Sequence, residues 1–144
     1  MSYAKNPSDN AQTFLVFAPD AVAAAADVDA SSRIDMSLFE YVEVMAAMGD
    51  GDTAVVITPQ EVAVAAAGTP AAIAGKAITL GATDDNTLEQ VEIRTHGRLQ
   101  YLTFNVTGTG GTASDVCIIV KGYGRQYTAD YPAHSTSVAE IGLA

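Results

Sequence analysis

The sequence predicts an all-β protein, built as an antiparallel β-sandwich or jelly roll of about seven to nine short strands. The first observation is the alternation of apolar and polar residues over short segments, which is typical of strands with one buried face. The second is the placement of glycine, proline, asparagine and aspartate between those segments, where turns need them. The third is the lack of an internal repeat of solenoid length, which argues against a propeller or a solenoid.

The three clearest strands are Leu88–Arg94, Leu99–Thr107 and Asp115–Gly122. Each carries β-branched or aromatic residues at alternate positions, as strands prefer. Polar breaks separate them at Thr95–Arg98 and at Gly108–Gly111, and the second break predicts a hairpin between the last two strands. We expect one core cluster to contain Phe104, Val106, Ile118 and Val120.

The N-terminal part contains one clear strand and one ambiguous segment. Gln12–Ala18 alternates in the manner of a strand, and Pro19 is expected to end it. The alanines of Val22–Asp29 favour a helix, whereas the proline and aspartates around them allow a strand. We favour a strand there because the rest of the chain reads as β, and we place a turn at residues 30–33.

The segment Ile34–Gly49 is compatible with either a helix or a strand on spacing alone. Its aromatic and β-branched residues favour a strand. Thr53–Thr58 is a strand by composition, and the intervening Gly49–Asp52 resembles a hairpin turn. A hairpin requires strands on both sides, so we predict that residues 38–48 form a strand paired with Thr53–Thr58.

Only short elements are predicted between the proline at position 59 and the three clearest strands. Pro59 is expected to end its strand, and Glu61–Ala66 is a candidate for another. Gly68–Gly75 reads as a loop, and residues 65–79 are the only stretch in which a short helix would fit. Ala77–Leu80 is a short strand, and Gly81–Thr87 is a turn.

The length of 144 residues corresponds to one domain. We expect a flexible N-terminal arm at residues 1–11, a β-sandwich domain at 12–128 and a C-terminal tail at 129–144. Much of the apolar fraction is alanine, and tryptophan is absent. A thin core and an apolar tail suggest a homo-oligomer, and we favour a homotrimer over a homodimer.

The net charge of −10 lies entirely in the first 90 residues. Such an acidic chain repels phosphate, which argues against direct nucleic-acid binding. The last third is balanced, and its four cations are either scattered surface charge or the side that touches an acidic partner: Arg94, Arg98, Lys121 and Arg125. The N-terminus does not resemble a signal peptide, and no apolar run is long enough to cross a membrane. We therefore expect synthesis in the cytoplasm and no membrane partner.

The sequence shows no set of residues that would support catalysis, a metal or a cofactor. His96 and His134 lie in separate polar loops without metal-ligand spacing. Cys117 is the single cysteine, which excludes an intrachain disulfide, and its place within a strand predicts a small hydrophobe rather than a nucleophile. Asp84–Asn86 and Asp50–Asp52 lack the spacing of a calcium loop. The prediction is a protein that is not an enzyme.

The order of these features resembles the decoration, or cement, proteins of tailed-phage heads. The resemblance covers about residues 12–128 and rests on layout, since no catalytic motif is involved. The segments that carry it are Ile34–Ser37, Phe39–Val44, Val55–Ile57, Ala63–Gly75, Arg98–Leu102 and Gly122–Tyr127. The chain departs from the pattern at Gly97–Gln100, where an aromatic residue often follows the arginine.

The resemblance implies a β-sandwich bound to the outer surface of the capsid, with the major capsid protein as its partner. A carbohydrate-binding or host-surface-binding β-sandwich module is the alternative, although such a module normally shows exposed tryptophan or a tyrosine platform. Tyrosine and arginine are enriched where interface energy concentrates. The interface candidates are Tyr123, Arg125, Tyr127 and Arg98; the other interpretation of the first three is packing at a strand end.

Overall fold

The computed structural model describes residues 11–22, 27–29, 33–51, 53–65, 67–110, 113–124 and 139–140. These residues form eleven strands and one 3-10 turn at Met36–Leu38. In chain order the strands are β1 Ala11–Val22, β2 Asp27–Asp29, β3 Ile34–Asp35, β4 Tyr41–Gly51, β5 Val55–Val62, β6 Ala71–Ala72, β7 Ile78–Leu80, β8 Thr87–Arg94, β9 Tyr101–Gly108, β10 Ser114–Tyr123 and β11 Ala139–Glu140.

The strands form two packed sheets, so the predicted all-β sandwich is confirmed. The first sheet has the order β11-β1-β10-β4-β8, and the second has the order β2-β9-β5-β6, with β3 also on β9 and β7 also on β5. Pairing is antiparallel except between β1 and β11. Until β11 the chain passes repeatedly from one sheet to the other, which is the topology of a jelly roll.

Two predicted hairpins are wrong for this reason. Residues 38–48 were expected to pair with Thr53–Thr58, but β4 lies in the first sheet between β10 and β8, while β5 lies in the second sheet beside β9. Likewise β9 and β10 belong to different sheets and do not pair with each other. Packed sheets lie about 10 Å apart, a distance that three extended residues can bridge. A short glycine-rich loop can therefore connect strands in opposite sheets as well as the two strands of a hairpin.

Neither Pro19 nor Pro59 ends its strand as predicted. β1 continues through Pro19 to Val22, with irregularities in its pairing to β10 on either side of Phe17. Pro59 lies within β5, where its carbonyl accepts from the Ile73 amide at 2.9 Å. The nitrogen and oxygen of one residue in an antiparallel strand point to the same side. The missing donor of Pro59 therefore faces the break between β7 and β6, where no ladder partner is lost.

Other predictions hold more closely. Residues 41–51 form a strand, and the 3-10 turn at Met36–Leu38 precedes it. The described residues of the region 65–79 contain β6 and the start of β7, and none of them is helical. Val22 closes β1 and Asp27–Asp29 is β2, whereas residues 23–26 lie outside the described ones. Gly97 has φ 77°, as its position in a polar break predicts.

The core lies between the inner faces of the two sheets. The predicted cluster of Phe104, Val106, Ile118 and Val120 is fully buried and belongs to one continuous apolar core. The core also contains bulky residues from both sheets and from the 3-10 turn: Met36, Phe39, Met48, Ile57, Ile73, Leu80, Ile93 and Leu102. Across the described residues no helix has the length and apolar character needed to span a membrane.

Candidate functional site

The candidate site is the side of the first sheet that faces away from the core, here called the outer face. Alternate residues of β1, β10, β4 and β8 point outward, because their neighbours fill the core. The pairing register places them in four rows across the sheet. Across β10, β4 and β8 these rows are Tyr123–Tyr41–Arg94, Lys121–Glu43–Glu92, Ile119–Met45–Gln90 and Cys117–Ala47–Leu88.

The middle and one end of the outer face are apolar. Leu15 of β1 extends the row of Ile119 and Met45, and all three side chains are half-buried. Leu88, at the far edge of the next row, is 60% exposed. The patch therefore runs across β1, β10, β4 and β8.

The other end of the outer face is aromatic and charged. The rings of Tyr41 and Tyr123 stack with centroids 4.9 Å apart and planes inclined by 15°. Lys121 Nζ lies 5.0 Å from the centroid of the Tyr123 ring, within the range of a cation–π contact. The Tyr123 hydroxyl donates to Glu43 Oε2 at 2.9 Å. These contacts hold Tyr123 from three sides.

The surroundings of Tyr123 favour its neutral form. Partial burial, the hydrogen bond to Glu43 and the charge of that carboxylate together raise the pKa of Tyr123 to about 12. The phenol is therefore protonated at neutral pH and remains a hydrogen-bond donor.

Backbone hydrogen bonds tie this end of the sheet to the adjacent loops. The Glu40 amide donates to the Tyr123 carbonyl at 2.9 Å, and the Thr95 amide donates to the Glu40 carbonyl at 3.1 Å. The Thr95 hydroxyl also donates to the carbonyls of Phe39 and Glu40. The start of β4, the end of β8 and the end of β10 therefore form one fixed unit.

A cavity of about 520 Å³ opens beside this unit. Its lining contains four basic side chains and a single carboxylate: Lys76, Arg94, His96, Arg98 and Glu92. Arg98 Nη1 lies 3.5 Å from Glu61 Oε1, and the Leu99 amide donates to Glu61 Oε2 at 3.0 Å. We call this space the basic cavity.

The structure separates the interface candidates. Tyr123 lies on the outer face, whereas Arg98 lies in the basic cavity and pairs with Glu61. Arg125 and Tyr127 fall outside the described residues. Sequence reasoning missed the partners of Tyr123, since Tyr41 and Glu43 are about 80 residues away in the chain. Their alternation within β4 was the only available signal.

Two kinds of group among the described residues could suggest chemistry: the Cys117 thiol and clusters of metal-ligating side chains. Burial raises the pKa of the Cys117 thiol, which disfavours the reactive thiolate. Among the residues that the structure describes, no three histidine, cysteine or acidic side chains are grouped so that they could hold a metal ion.

The fold and this surface define a jelly-roll β-sandwich with a patterned outer face. No protein-family model and no curated protein matches the chain. Among solved structures, the chain is similar to the PBSX exported protein XepA, with a TM-score of 0.56 and 14% identity over 100% of this chain and 47% of that one. It therefore spans about half the length of XepA.

A second solved structure with a similar fold comes from a study titled "Bacillus endospore appendages form a novel family of disulfide-linked pili". The TM-score is 0.50 with 15% identity, and the match covers 81% of this chain and 90% of that one. At these identities both similarities establish a shared fold.

Proposed function

We propose that this protein is a structural virion protein that decorates the outer surface of a tailed-phage head and stabilises contacts between major capsid subunits. The observation that carries the proposal is the pattern of the outer face. An apolar middle lies on a rigid sheet and is flanked by tyrosines and charged side chains. Protein interfaces are built in this way, with a buried apolar centre and a polar rim.

The residues of the outer face suit non-covalent bridging. Met45 and Ile119 supply apolar area at the centre, while Tyr41, Tyr123 and Arg94 belong to the residue types in which binding energy concentrates. Tyr123 is held by Glu43, Lys121 and the stacked ring of Tyr41 before any partner arrives. Little side-chain entropy is then lost on binding.

The size of the outer face supports an oligomeric decoration protein. Four strands about 4.8 Å apart and about 30 Å long present on the order of 500 Å². A stable interface covers about 800 Å² on each partner. Several copies that bind together would compensate for this small contact area, because avidity strengthens weak single contacts. We therefore propose a homotrimer rather than a homodimer, to be tested by native mass spectrometry of the purified protein.

The similar folds and the sequence resemblance agree with a structural role. One similar structure is an exported protein of PBSX and the other comes from a study of pili. Both descriptions fit assemblies or proteins outside the cytoplasm, and the sequence layout narrows this to the head of a tailed phage. The proposed location is the outer surface of the virion, after synthesis in the host cytoplasm, and the proposed role is non-catalytic.

A carbohydrate-binding or host-surface-binding module is the second candidate, and the stacked tyrosines favour it. Sugar platforms present an open aromatic face. The Tyr123 ring is already engaged by Tyr41 and by Lys121, so a sugar would have to displace one of them. A glycan array with the purified protein separates the two functions, since decoration predicts no sugar ligand.

The deciding experiment uses heads that lack this protein. We expect them to release DNA at a lower temperature than intact heads, and purified protein to restore resistance. Met45→Glu places a charge at the centre of the outer face and should fail to restore it. Thr79→Glu is the matched control, because Thr79 is exposed on the second sheet. Equal heat resistance of heads with and without the protein would refute the proposed function.

A further inference from the structure

The basic cavity concentrates positive charge on an acidic protein. Five lysines and arginines are present among the described residues, and three of them line this cavity: Lys76, Arg94 and Arg98. They come from the segment before β7, the end of β8 and the loop before β9. A chain with a net charge of −10 therefore folds so that three of its cations converge at one end of the sandwich.

One arginine of the basic cavity already has a carboxylate partner. Glu61 accepts from the Leu99 amide at 3.0 Å and lies 3.5 Å from Arg98 Nη1. The second distance is long for a charge-assisted hydrogen bond. The Arg98 side chain is 33% exposed, so this surface pair is weak. Arg98 can therefore take a better-placed carboxylate from outside.

Two exposed apolar side chains lie at the same end of the molecule. Leu99 directly follows Arg98 and is 45% exposed, and Val64 lies two residues beyond the end of β5 and is 52% exposed. Val62, the last residue of β5, pairs with Tyr101 at the start of β9, which places both ends side by side. Arg33 donates to the carbonyls of Val64 and Ala67 and so fixes the segment that carries Val64.

We propose that the basic cavity is a docking site for an acidic segment of a neighbouring protein, which supplies carboxylates to Arg94, Arg98 and Lys76 and an apolar side chain to Leu99. Arginine forks match carboxylates, and apolar anchors beside them are typical of protein interfaces. Nucleic acid is a poorer ligand, because its phosphates outside the cavity would meet the acidic surface of the chain. The inference deepens the proposed function by giving the partner's chemistry, and it rests on that function only for placing the partner in the capsid.

The test measures binding of a fluorescently labelled synthetic peptide of alternating glutamate and leucine to the purified protein at about 0.15 M salt, where the Debye length is about 8 Å. We expect Arg94→Gln and Arg98→Gln each to weaken binding by about tenfold or more. Lys121→Gln removes the same charge outside the cavity and should change affinity less than about twofold, as screening predicts. Leu99→Ser should weaken binding by about threefold or more, since it removes apolar contact area.

One variant should gain affinity. Glu61→Gln removes the carboxylate that pairs with Arg98 but keeps an oxygen for the Leu99 amide. The peptide should therefore bind more tightly, a result that misfolding would not produce. The proposal is overturned if the peptide does not bind, or if Lys121→Gln weakens binding as much as Arg98→Gln. It is also overturned if Leu99→Ser has no effect on peptide binding and inorganic phosphate or single-stranded DNA, added at the same total charge as the peptide, displaces the peptide. These outcomes do not depend on the stability of phage heads, so failure here and failure of the decoration function are distinguishable.

Discussion

The ring of Phe39 packs directly against the backbone of Gly122. A Cβ atom placed on Gly122 would lie 2.6 Å from two carbons of that ring, closer than carbon atoms approach in proteins. Phe39 is fully buried and makes an edge-to-face contact with Phe14 at 6.0 Å. The Phe39 ring therefore occupies the space that any side chain larger than hydrogen would need at position 122 of β10.

Gly122→Ala should destabilise the protein by about 1–3 kcal/mol, because the buried ring must leave its position to admit a methyl group. Urea denaturation measures the free energy of unfolding. Gly49→Ala is the matched control: its Cβ would lie 3.7 Å from the nearest atom, an ordinary contact. Similar losses for both variants would show that the Phe39 contact is not the cause.

The buried side chain of Ser114 binds the backbone of Thr53, which lies between β4 and β5. The Ser114 hydroxyl donates to the Thr53 carbonyl at 2.8 Å and accepts from the Thr53 amide at 3.2 Å. Ser114 is 0% exposed and Thr53 is 4% exposed. One hydroxyl thus satisfies both backbone groups of a residue where the chain leaves the first sheet.

Ser114→Ala should cost about 1–3 kcal/mol, because it leaves two buried backbone groups without their partner. Thr79→Ala removes a hydroxyl from an exposed position in β7 and should change stability by less than about 0.5 kcal/mol. Denaturant melts of the two variants give the comparison. A loss for Ser114→Ala no larger than the control's would mean that water replaces the hydroxyl.

The sequence could predict which faces of the strands are buried but not which strands pair. A period of two assigns Phe104 and Ile118 to the core wherever their strands lie. It carries no information on whether the next strand belongs to the same sheet. Gly51 illustrates the ambiguity: it suggested a hairpin turn, but its φ is not positive, and a Cβ there would lie 2.2 Å from the Met48 sulfur. Glycine at this position leaves room for the buried Met48 side chain.

The sequence predicted the candidate site only in part, because it does not show which strands pair. Tyr123 was found from its residue type at a strand exit. Its partners Tyr41 and Glu43 lie in β4, which becomes the neighbour of β10 only through the jelly-roll topology. Arg98 was assigned to the same interface, although the loop after β8 carries it into the basic cavity instead. Long-range register decides both placements, and local patterns do not encode it.

Truncation of Phe104 tests how much the buried core contributes to stability. Its side chain is 1% exposed at the centre of β9, and Phe104→Ala should cost about 3–5 kcal/mol through lost burial and a cavity. Leu88→Ala also truncates a large apolar side chain, but at a position that is 60% exposed, so a change within about 0.5 kcal/mol is expected. A loss below about 1 kcal/mol for Phe104→Ala in chemical denaturation would contradict the register of β9.

The hydrogen bond between Tyr123 and Glu43 predicts a pH dependence of stability. Folding raises the pKa of Tyr123 from the ordinary value of about 10 to about 12. The folded state therefore favours the protonated phenol. Its stabilising effect is fully present below about pH 10, the pKa in the unfolded chain, and is lost as the pH rises toward about 12.

Tyr123→Phe isolates this contribution. At neutral pH the variant should be less stable by at most about 1 kcal/mol, because the pair is close to solvent. The difference from the unaltered protein should stay constant up to about pH 10 and shrink above it, as measured by urea denaturation at a series of pH values. Glu43→Gln removes the charge that helps to raise the pKa, so absorbance titration of the tyrosinates should show one group ionising at lower pH. A stability difference that persists unchanged above pH 11 would contradict the role assigned to the Tyr123–Glu43 pair.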